Sequence, residues 1–219
     1  MLVKNWMSRP AITIDANAYM QDAVKLLKKH NIRNLPVIQN GRLVGFVTDK
    51  DLSRAAASEV TRLEHIPELL YMITNIKIQD IMNRDLITIL QNQTVEQVAK
   101  ILLQNRLQAA PVVDNDGNLV GVITQTDIFR VLVSLTGVEK SGVQFAFQLE
   151  DLPGSIKEVA DIMRKYGCRM VSILSTYENV PEGYRNVYIR VRDCDREKLG
   201  QLKEELALKA KVLYVVDHQ

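Results

Sequence analysis

Apolar and polar residues follow the same order of patterns twice in the first part of the chain. Each copy begins with a short β-branched run, at residues 12–14 and 87–89. A stretch with apolar residues three and four positions apart follows, which is typical of an amphipathic helix. Two apolar runs joined by a turn come next, and a second helical pattern closes the copy. Since the order recurs after about 75 positions, the chain contains an internal repeat. Each repeat is predicted to form strand, helix, strand, strand and helix.

The turn between the two apolar runs is marked in both copies. In the first copy it is Asn40-Gly41, and Asn-Gly is the preferred dipeptide of a two-residue hairpin because it tolerates positive φ. In the second copy Asn115-Asp116-Gly117 occupies the same place with one residue more. We therefore expect a hairpin inside each repeat. One repeat has a small sheet and one helical layer, so two together could bury a face that neither covers alone.

Residues 141–217 do not match the repeat. They open with strict alternation, in which Val143, Phe145, Phe147 and Leu149 share one face of a strand. The further predicted elements are a helix at 156–163, strands at 168–175 and 187–191, a helix at 195–208 and a strand at 212–216. The order β-α-β-β-α-β is the ferredoxin-like arrangement. The chain is therefore predicted to have a mixed α/β fold, in the broad sense that includes α+β proteins. The predicted domains are 1–77, 78–136 and 141–219.

Residues 55–77 separate the two repeats, and within them residues 68–73 predict an amphipathic helix. The simpler interpretation is a connector that packs Leu70 and Ile73 against the repeats. The alternative is an arm for dimerisation or for movement between two states.

Composition narrows the class of protein. The chain has 219 residues, of which 47% are hydrophobic and 25% charged, the balance of an ordinary globular protein. Its net charge of +2 gives no overall field that would attract nucleic acid. No apolar run approaches the ~18 residues of a membrane span, and residues 1–10 lack the apolar stretch of a signal peptide. We expect a cytoplasmic protein in which Cys168 and Cys194 are reduced thiols.

The candidate chemistry lies in Gly-x-x-Thr-x-x-Asp, which occurs at 45–51 and at 121–127. Each copy ends a predicted strand and starts a helix. One interpretation is a helix cap, since Thr-x-x-Asp at a helix start resembles a capping box. The other is a ligand site, because free N–H groups and the positive end of the helix dipole attract a phosphate. A carboxylate one turn later could accept hydrogen bonds from both hydroxyls of a ribose. The glycines would let a ligand approach the backbone. Occurrence of the same residues in both copies favours the ligand site.

With these motifs and the Pro36-Val37 and Pro111-Val112 strands, residues 3–135 resemble a pair of CBS domains, together called a Bateman module. Such pairs commonly bind AMP, ATP or S-adenosylmethionine in clefts between the copies. The resemblance implies that Asp51 and Asp127 hold ribose and that Thr48 and Thr124 face phosphate. Gly45 and Gly121 belong to the same implied sites, and Thr126 could assist Thr124 at the phosphate. Two segments would form the walls around the adenine. These are Ile32, Arg33 and Asn34 opposite Asp127, and Leu107, Gln108 and Ala109 opposite Asp51.

The two implied clefts differ in charge. Arg33 is the only basic residue of the two walls, so the cleft of Asp127 and Arg33 is ranked first for a charged phosphate. Both clefts keep the Thr and the Asp, so two ligands could be bound.

The C-terminal region resembles an ACT domain through Asp151-x-Pro153-Gly154, which lies between the first strand and the first helix. An ACT effector site would use Asp151, Pro153 and Gly154, with backbone N–H groups offered to a carboxylate. From the residues alone, an ordinary strand-to-helix turn in which Asp151 caps the helix comes first, and a dimer through paired sheets is equally plausible. A CBS pair followed by an ACT domain resembles a family of acetoin utilization proteins, which implies a role in acetoin or butanediol breakdown.

An enzyme is the weaker prediction. His30, His65 and His218 stand in unrelated contexts, and the sequence has no H-E-x-x-H, P-loop or G-x-G-x-x-G motif. We therefore expect no catalytic residues, no metal and no cofactor. The expected function is that of a regulatory sensor of an adenine nucleotide or S-adenosylmethionine. It would form a homodimer, with a protein partner, and without nucleic acid or membrane. The alternative is a structural dimer scaffold in which the Thr-x-x-Asp motifs are only caps.

Overall fold

The computed structural model describes residues 1–60 and 75–218. The predicted connector helix at 68–73 lies outside these residues. The chain divides into two compact units, Met1–Phe129 and Arg130–Gln219. In the described part, no helix has both the length and the apolar character needed to cross a membrane.

The first repeat has the predicted element order. Its elements are β1 (Ile14–Asp15), α1 (Met20–His30), β2 (Asn34–Gln39), β3 (Arg42–Thr48) and α2 (Asp49–Val60). Strand β1 pairs in parallel with β2, and β2 pairs antiparallel with β3. The hairpin turns at Asn40 and Gly41, with φ of 51° and 75°, as the Asn-Gly dipeptide predicts.

The second repeat follows the same plan. A short helix, α3 (Ile78–Ile81), precedes β4 (Ile89–Leu90), α4 (Val95–Gln104), β5 (Ala109–Val113), β6 (Leu119–Thr124) and α5 (Gln125–Thr136). The sheet order is β4-β5-β6, with one parallel and one antiparallel pair as in the first repeat. The β-α-β-β-α order predicted for both copies is therefore confirmed.

The two repeats exchange their leading segments. Val3 and Met7, which precede the first repeat, are buried in the core of the second. Ile78 and Met82, which precede the second repeat, are buried in the core of the first. Isolated bridges join Ser8 to Val122 and Asn83 to Phe46, so each leading segment also pairs with the other repeat's last strand. The core of each repeat thus includes residues from the segment that precedes the other repeat.

The C-terminal unit contains the predicted β-α-β-β-α-β order. Its elements are β7 (Gly142–Glu150), α6 (Ser155–Lys165), β8 (Arg169–Thr176), β9 (Tyr184–Arg192), α7 (Leu199–Lys209) and β10 (Lys211–His218). The sheet order is β10-β7-β9-β8, and each neighbouring pair is antiparallel. The alternating residues Val143, Phe145, Phe147 and Leu149 are all buried in one core with α6 and α7, as predicted.

The expectation of two reduced thiols is wrong, because the structure joins Cys168 and Cys194 in a disulfide. Cys168 follows Gly167, which lies two residues after α6 with φ of 75°, and Cys194 follows Asp193, which lies just after β9 with φ of 59°. The two turns bring the Cα atoms to 4.2 Å across a separation of 26 residues. A pair this far apart in sequence carries no local spacing signal, so the sequence could not show it.

Candidate functional site

The first Thr-x-x-Asp motif forms a closed hydrogen-bond ring at the start of α2. The Thr48 N–H donates to Asp51 Oδ2 at 2.9 Å, and the Thr48 hydroxyl donates to the same oxygen at 2.6 Å. In return the Asp51 N–H donates to Thr48 Oγ1 at 3.3 Å. This is the reciprocal capping geometry that satisfies free donors at a helix start.

The second motif repeats this ring at the start of α5. The N–H and the hydroxyl of Thr124 donate to Asp127 Oδ2 at 2.9 and 2.8 Å, and the Asp127 N–H donates to Thr124 Oγ1 at 3.2 Å. In both copies the threonine hydroxyl already serves as donor and as acceptor. It would keep one acceptor lone pair, so its donor would have to leave the aspartate before it could reach a phosphate.

The two aspartates differ in access. The side chain of Asp51 is 26% exposed, and its Oδ1 lies 3.9 Å from the Arg54 guanidinium. Asp127 is only 2% exposed. Asp51 is therefore the more accessible of the two carboxylates. The aspartate of the cleft that the sequence ranks first is thus the less exposed one.

The structure places each predicted wall segment beside the threonine of its own repeat. Asn34 pairs with Thr48 across the β2–β3 hairpin, and Ala109 pairs with Thr124 across β5–β6. The next residues are held by backbone contacts. Those contacts are Asp49 N–H to Arg33 O at 2.9 Å, Gln125 N–H to Gln108 O at 2.9 Å and Gln125 Nε2 to Leu107 O at 3.1 Å.

The remaining predicted residues differ in exposure. Arg33, Gln108 and Thr126 are exposed, whereas Ile32 and Leu107 pack against the cores of their own repeats. The Arg33 carbonyl accepts a hydrogen bond from the Asp49 N–H of its own repeat.

Ala109 lies where the two repeats meet. It shares a buried cluster with Phe46 of β3 and Val122 of β6, against which Ala11 and Leu86 pack. The last strand of the first repeat therefore contacts the hairpin of the second, and Ala109 is the one predicted wall residue in this cluster.

Packing alone accounts for the motif glycines. A Cβ on Gly45 would collide with the Met82 side chain. A Cβ on Gly121 would lie 2.7 Å from Met7 Sδ and 2.7 Å from the Ser8 carbonyl oxygen. The sequence analysis missed these two methionines as neighbours of the motif, although they occupy equivalent places in the repeat.

In the C-terminal unit, Asp151 does not cap α6. Gly154, with φ of 96°, precedes that helix without any side-chain cap. Instead Asp151 Oδ1 accepts from the Tyr177 hydroxyl at 3.3 Å and lies 3.4 Å from Arg185 Nε. Its backbone N–H donates to the Gly183 carbonyl at 2.8 Å. The expectation that Asp151 caps the helix is wrong, because the residue faces a cation on β9. Leu152, Pro153 and Gly154 form an exposed turn.

Outside the motifs, two further features bear on chemistry. A cavity of about 420 Å³ lies between α1 and α2, lined mainly by apolar side chains such as Val24, Leu27 and Leu52. Its lining also includes Ile32 and Asp49, so it reaches the start of α2. Among the described residues, no group of three or more His, Cys, Asp and Glu side chains could hold a metal ion.

The hydrogen-bonded pairs Thr48–Asp51 and Thr124–Asp127 are called the Thr–Asp boxes below. Two β-α-β-β-α repeats with exchanged leading segments and one such box each define a tandem-repeat module. The family model described as "CBS domain" matches residues 3–58 and 78–134, a little over half of the chain. The chain belongs to the CBS domain family.

Curated relatives match the same region. An L-aspartate semialdehyde sulfurtransferase from Methanocaldococcus jannaschii is 34% identical over 59% of this chain, and the match spans 23% of the sulfurtransferase. A CBS domain-containing protein from Dictyostelium discoideum is 32% identical over 62% of this chain and 93% of its own length.

Several solved structures are also similar to this chain. The CBS domain pair of protein MJ0100, in complex with 5′-methylthioadenosine and S-adenosyl-L-methionine, is 33% identical, with a TM-score of 0.53 over 64% of this chain and 98% of its own. CBSX2 in complex with AMP is 25% identical, with a TM-score of 0.51 over 64% and 98%. A protein assigned to acetoin utilization (AcuB) from Vibrio cholerae shares the fold, with 22% identity and a TM-score of 0.53 over 64% and 95%. CBS pairs similar to this one therefore bind adenosine derivatives.

Proposed function

We propose that this protein is a non-enzymatic regulator that binds an adenosine-containing ligand, of the AMP, ATP or S-adenosylmethionine class, between its CBS repeats. One observation carries the proposal. The N-termini of α2 and α5 are built by the same Thr–Asp box, and in α2 the aspartate is partly exposed to solvent. Similar CBS pairs hold AMP, or methylthioadenosine and S-adenosylmethionine.

The proposed contacts follow from the box. Asp51 Oδ2 holds the cap, so Oδ1 is the oxygen that would accept from a ribose hydroxyl. The N–H groups of Asp49, Lys50 and Asp51 already donate within the protein, so the positive end of the α2 dipole would attract a phosphate or carboxylate. Arg33 and Gln108 are exposed polar side chains beside the two boxes, and Ile32, Leu107 and Ala109 would supply apolar contact to an adenine. Equivalent contacts at Thr124 and Asp127 would require Asp127 to become accessible.

The test is calorimetric titration with AMP, ADP, ATP, S-adenosylmethionine and NADH. Asp51→Asn keeps an oxygen for the Thr48 cap but replaces the second carboxylate oxygen with an amide donor. We expect it to weaken the observed binding at least about tenfold, the value of one charged hydrogen bond. Asp49→Asn is the matched control, since it removes the same charge two residues away on α2, and it should not weaken the binding.

Three outcomes would contradict parts of the proposal. If a folded protein binds none of the five compounds, the boxes are only caps and the structural scaffold becomes the better function. If Asp49→Asn weakens binding as much as Asp51→Asn, the effect is one of overall charge. If mass spectrometry finds the bound nucleotide converted to product, the protein is an enzyme.

The finer parts of the proposal concern the rest of the chain. The boundaries 1–77, 78–136 and 141–219 are proposed for the two CBS repeats and an ACT domain, and the ferredoxin-like order of the last unit supports the ACT domain. An effector carboxylate would lie at Asp151, Pro153 and Gly154, beside the Arg185 cation. A homodimer and a role in acetoin utilization complete the proposal, the latter supported by the domain order. Light scattering of the full chain tests the dimer.

A further inference from the structure

The Cys168–Cys194 disulfide lies at one end of the C-terminal sheet, just beyond the pairing of β8 with β9. At this end the ladder begins with the pair of Arg169 and Arg192. Cys168 directly precedes Arg169, whereas Asp193 separates Arg192 from Cys194. Because Asp193 has φ of 59°, the chain turns there, and Cys194 meets Cys168. The bond therefore fastens the start of β8, an edge strand, to the chain that leads to α7.

The two sulfurs differ in access. Cys168 is only 4% exposed and belongs to the core of the C-terminal unit, and its N–H donates to the Met163 carbonyl at 3.1 Å. Cys194 is only partly buried and packs against the rim of the same core. A disulfide is opened by a thiolate that attacks one of its two sulfurs, and access decides which one. A small thiol therefore reaches the sulfur of Cys194 first.

The two helices beside the bond have anchors of their own. Met163 of α6 and Leu202 of α7 are fully buried in one core. The carboxylate of Glu205 on α7 accepts from Lys165 Nζ at 2.8 Å and from the Tyr166 hydroxyl at 2.7 Å, so a polar contact also joins α7 to the end of α6. Opening of the disulfide should therefore leave both helices in place.

The connection at 193–198 is held more weakly. The Asp195 N–H donates to the Tyr166 carbonyl at 3.5 Å, which is a long hydrogen bond. Arg196 forms an ion pair with Asp217, and an ion pair between exposed side chains adds little stability. Opening of the disulfide should therefore loosen this connection and the start of β8, and it should expose the sulfur of Cys168.

We propose that Cys168 and Cys194 form a reversible redox site, at which a low-molecular-weight thiol of the glutathione kind exchanges at Cys194. This inference goes beyond the proposed function and does not depend on it. The thiolate of the small thiol attacks Cys194 Sγ, the bond between the two cysteines breaks, and Cys168 leaves as a thiolate that takes up a proton. The product is a mixed disulfide on Cys194.

A second molecule of the small thiol completes the reduction. Its thiolate attacks the small-thiol sulfur of the mixed disulfide, and Cys194 leaves as a thiolate that takes up a proton. Two small thiols are thereby oxidised to one disulfide, while the protein disulfide is reduced to two thiols. The reverse sequence closes the bond again. Cys194 is thus the modification site, and 193–198 is the segment that responds.

The first test incubates the full chain with mixtures of reduced and oxidised glutathione, followed by acid quenching, alkylation and peptide mass spectrometry. We expect the mixed disulfide on Cys194 to be at least about tenfold more abundant than on Cys168, because a buried sulfur is inert. Two matched variants then separate the thiols. With oxidised glutathione, Cys168→Ala should react at Cys194 at least about tenfold faster than Cys194→Ala reacts at Cys168, and urea should remove the difference.

The second test compares hydrogen exchange of the oxidised and the reduced protein. Reduction should increase exchange at 166–170 and at 193–198. It should leave 159–163 and 202–206, in the middle of the two helices, unchanged. A bond that merely stabilises the whole unit would change all four segments together, so the pattern distinguishes a local switch from general stabilisation.

Three results would overturn the proposal. The bond is purely structural if millimolar glutathione opens it only in urea. The argument from access is wrong if both cysteines of the folded protein form the mixed disulfide equally. The switch is refuted if reduction increases exchange in the helices as much as at 193–198. All three results leave the adenosine site untouched, and a failure of nucleotide binding leaves this redox site untouched.

Discussion

At the scale of single residues, the motif glycines are explained by their neighbours. Both seemed from sequence to admit a ligand, yet each faces a methionine from the leading segment of the other repeat. The three atoms nearest to a Cβ on Gly45 belong to the Met82 side chain, whereas those nearest to a Cβ on Gly121 include a backbone oxygen of Ser8. A flexible side chain can move aside more easily than backbone.

Gly121→Ala should therefore destabilise the protein by about 1–3 kcal/mol, the cost of overpacking, and Gly45→Ala should cost less. Urea unfolding followed by circular dichroism measures both values. Gly200→Ala is the control, because nothing lies within 4 Å of a Cβ there and alanine favours a helix. Equal losses for Gly45 and Gly121 would contradict the backbone argument.

At the scale of elements, helices α6 and α7 are joined by a polar cluster. Lys165 Nζ lies 2.8 Å from Glu205 Oε2, and the Tyr166 hydroxyl donates to the same oxygen at 2.7 Å. The hydrogen bonds from Lys165 and Tyr166 lower the pKa of Glu205. Hydrogen bonding to Glu205 raises the pKa of Lys165 and of Tyr166.

These pKa shifts predict that the cluster of Lys165, Tyr166 and Glu205 stabilises the folded protein most at intermediate pH. Because folding lowers the pKa of Glu205, the stability that this carboxylate contributes is present above its unfolded pKa of about 4.3 and is lost as pH falls. Because folding raises the pKa values of Lys165 and Tyr166, the stability that these groups contribute is present below their unfolded pKa values of about 10 and is lost as pH rises. The difference in melting temperature between the unmodified protein and Glu205→Gln should thus be largest between about pH 5 and 9. Glu204→Gln, an exposed neighbour on α7, is the control. A difference that is independent of pH would refute the assignment.

The disulfide is a second tie between elements, from the turn after α6 to the chain after β9. Closing a loop of 26 residues restricts the unfolded chain, so reduction should cost about 3 kcal/mol. Thermal unfolding with and without a thiol reductant measures the loss. Cys194→Ser should melt at the lower temperature in both conditions. An unmodified protein whose melting ignores the reductant would show that the bond contributes no stability.

At the scale of the whole molecule, the chain has two compact units with separate cores. A ligand bound to folded CBS repeats should stabilise them by about 2.7 kcal/mol at a hundredfold excess over its Kd. Scanning calorimetry with AMP or S-adenosylmethionine should show this as a higher melting temperature, and Asp51→Asn should reduce the shift. An equal shift in Asp51→Asn would place the ligand elsewhere.

Much of the fold could be predicted from the sequence because its signals are local. The Asn40-Gly41 turn, the alternation from Val143 to Leu149 and the Thr–Asp caps each depend on residues within a few positions of one another, and each is present in the structure. Of the candidate site, the sequence could predict only the parts whose residues are close together in the chain. The repeat gave the boxes and the segments beside them.

What the sequence alone determined is therefore the element order, the two repeats and the pair of boxes, since periodicity and capping act over one or two turns. Only the tertiary structure decided four further features. These are the exchange of Met7 and Met82 between repeats, the closure of Asp127 relative to Asp51, the Cys168–Cys194 bond and the burial of Arg190 under the end of α5. Each depends on which distant segments meet, and that is fixed by the packing of cores, for which no short stretch of sequence carries the pattern.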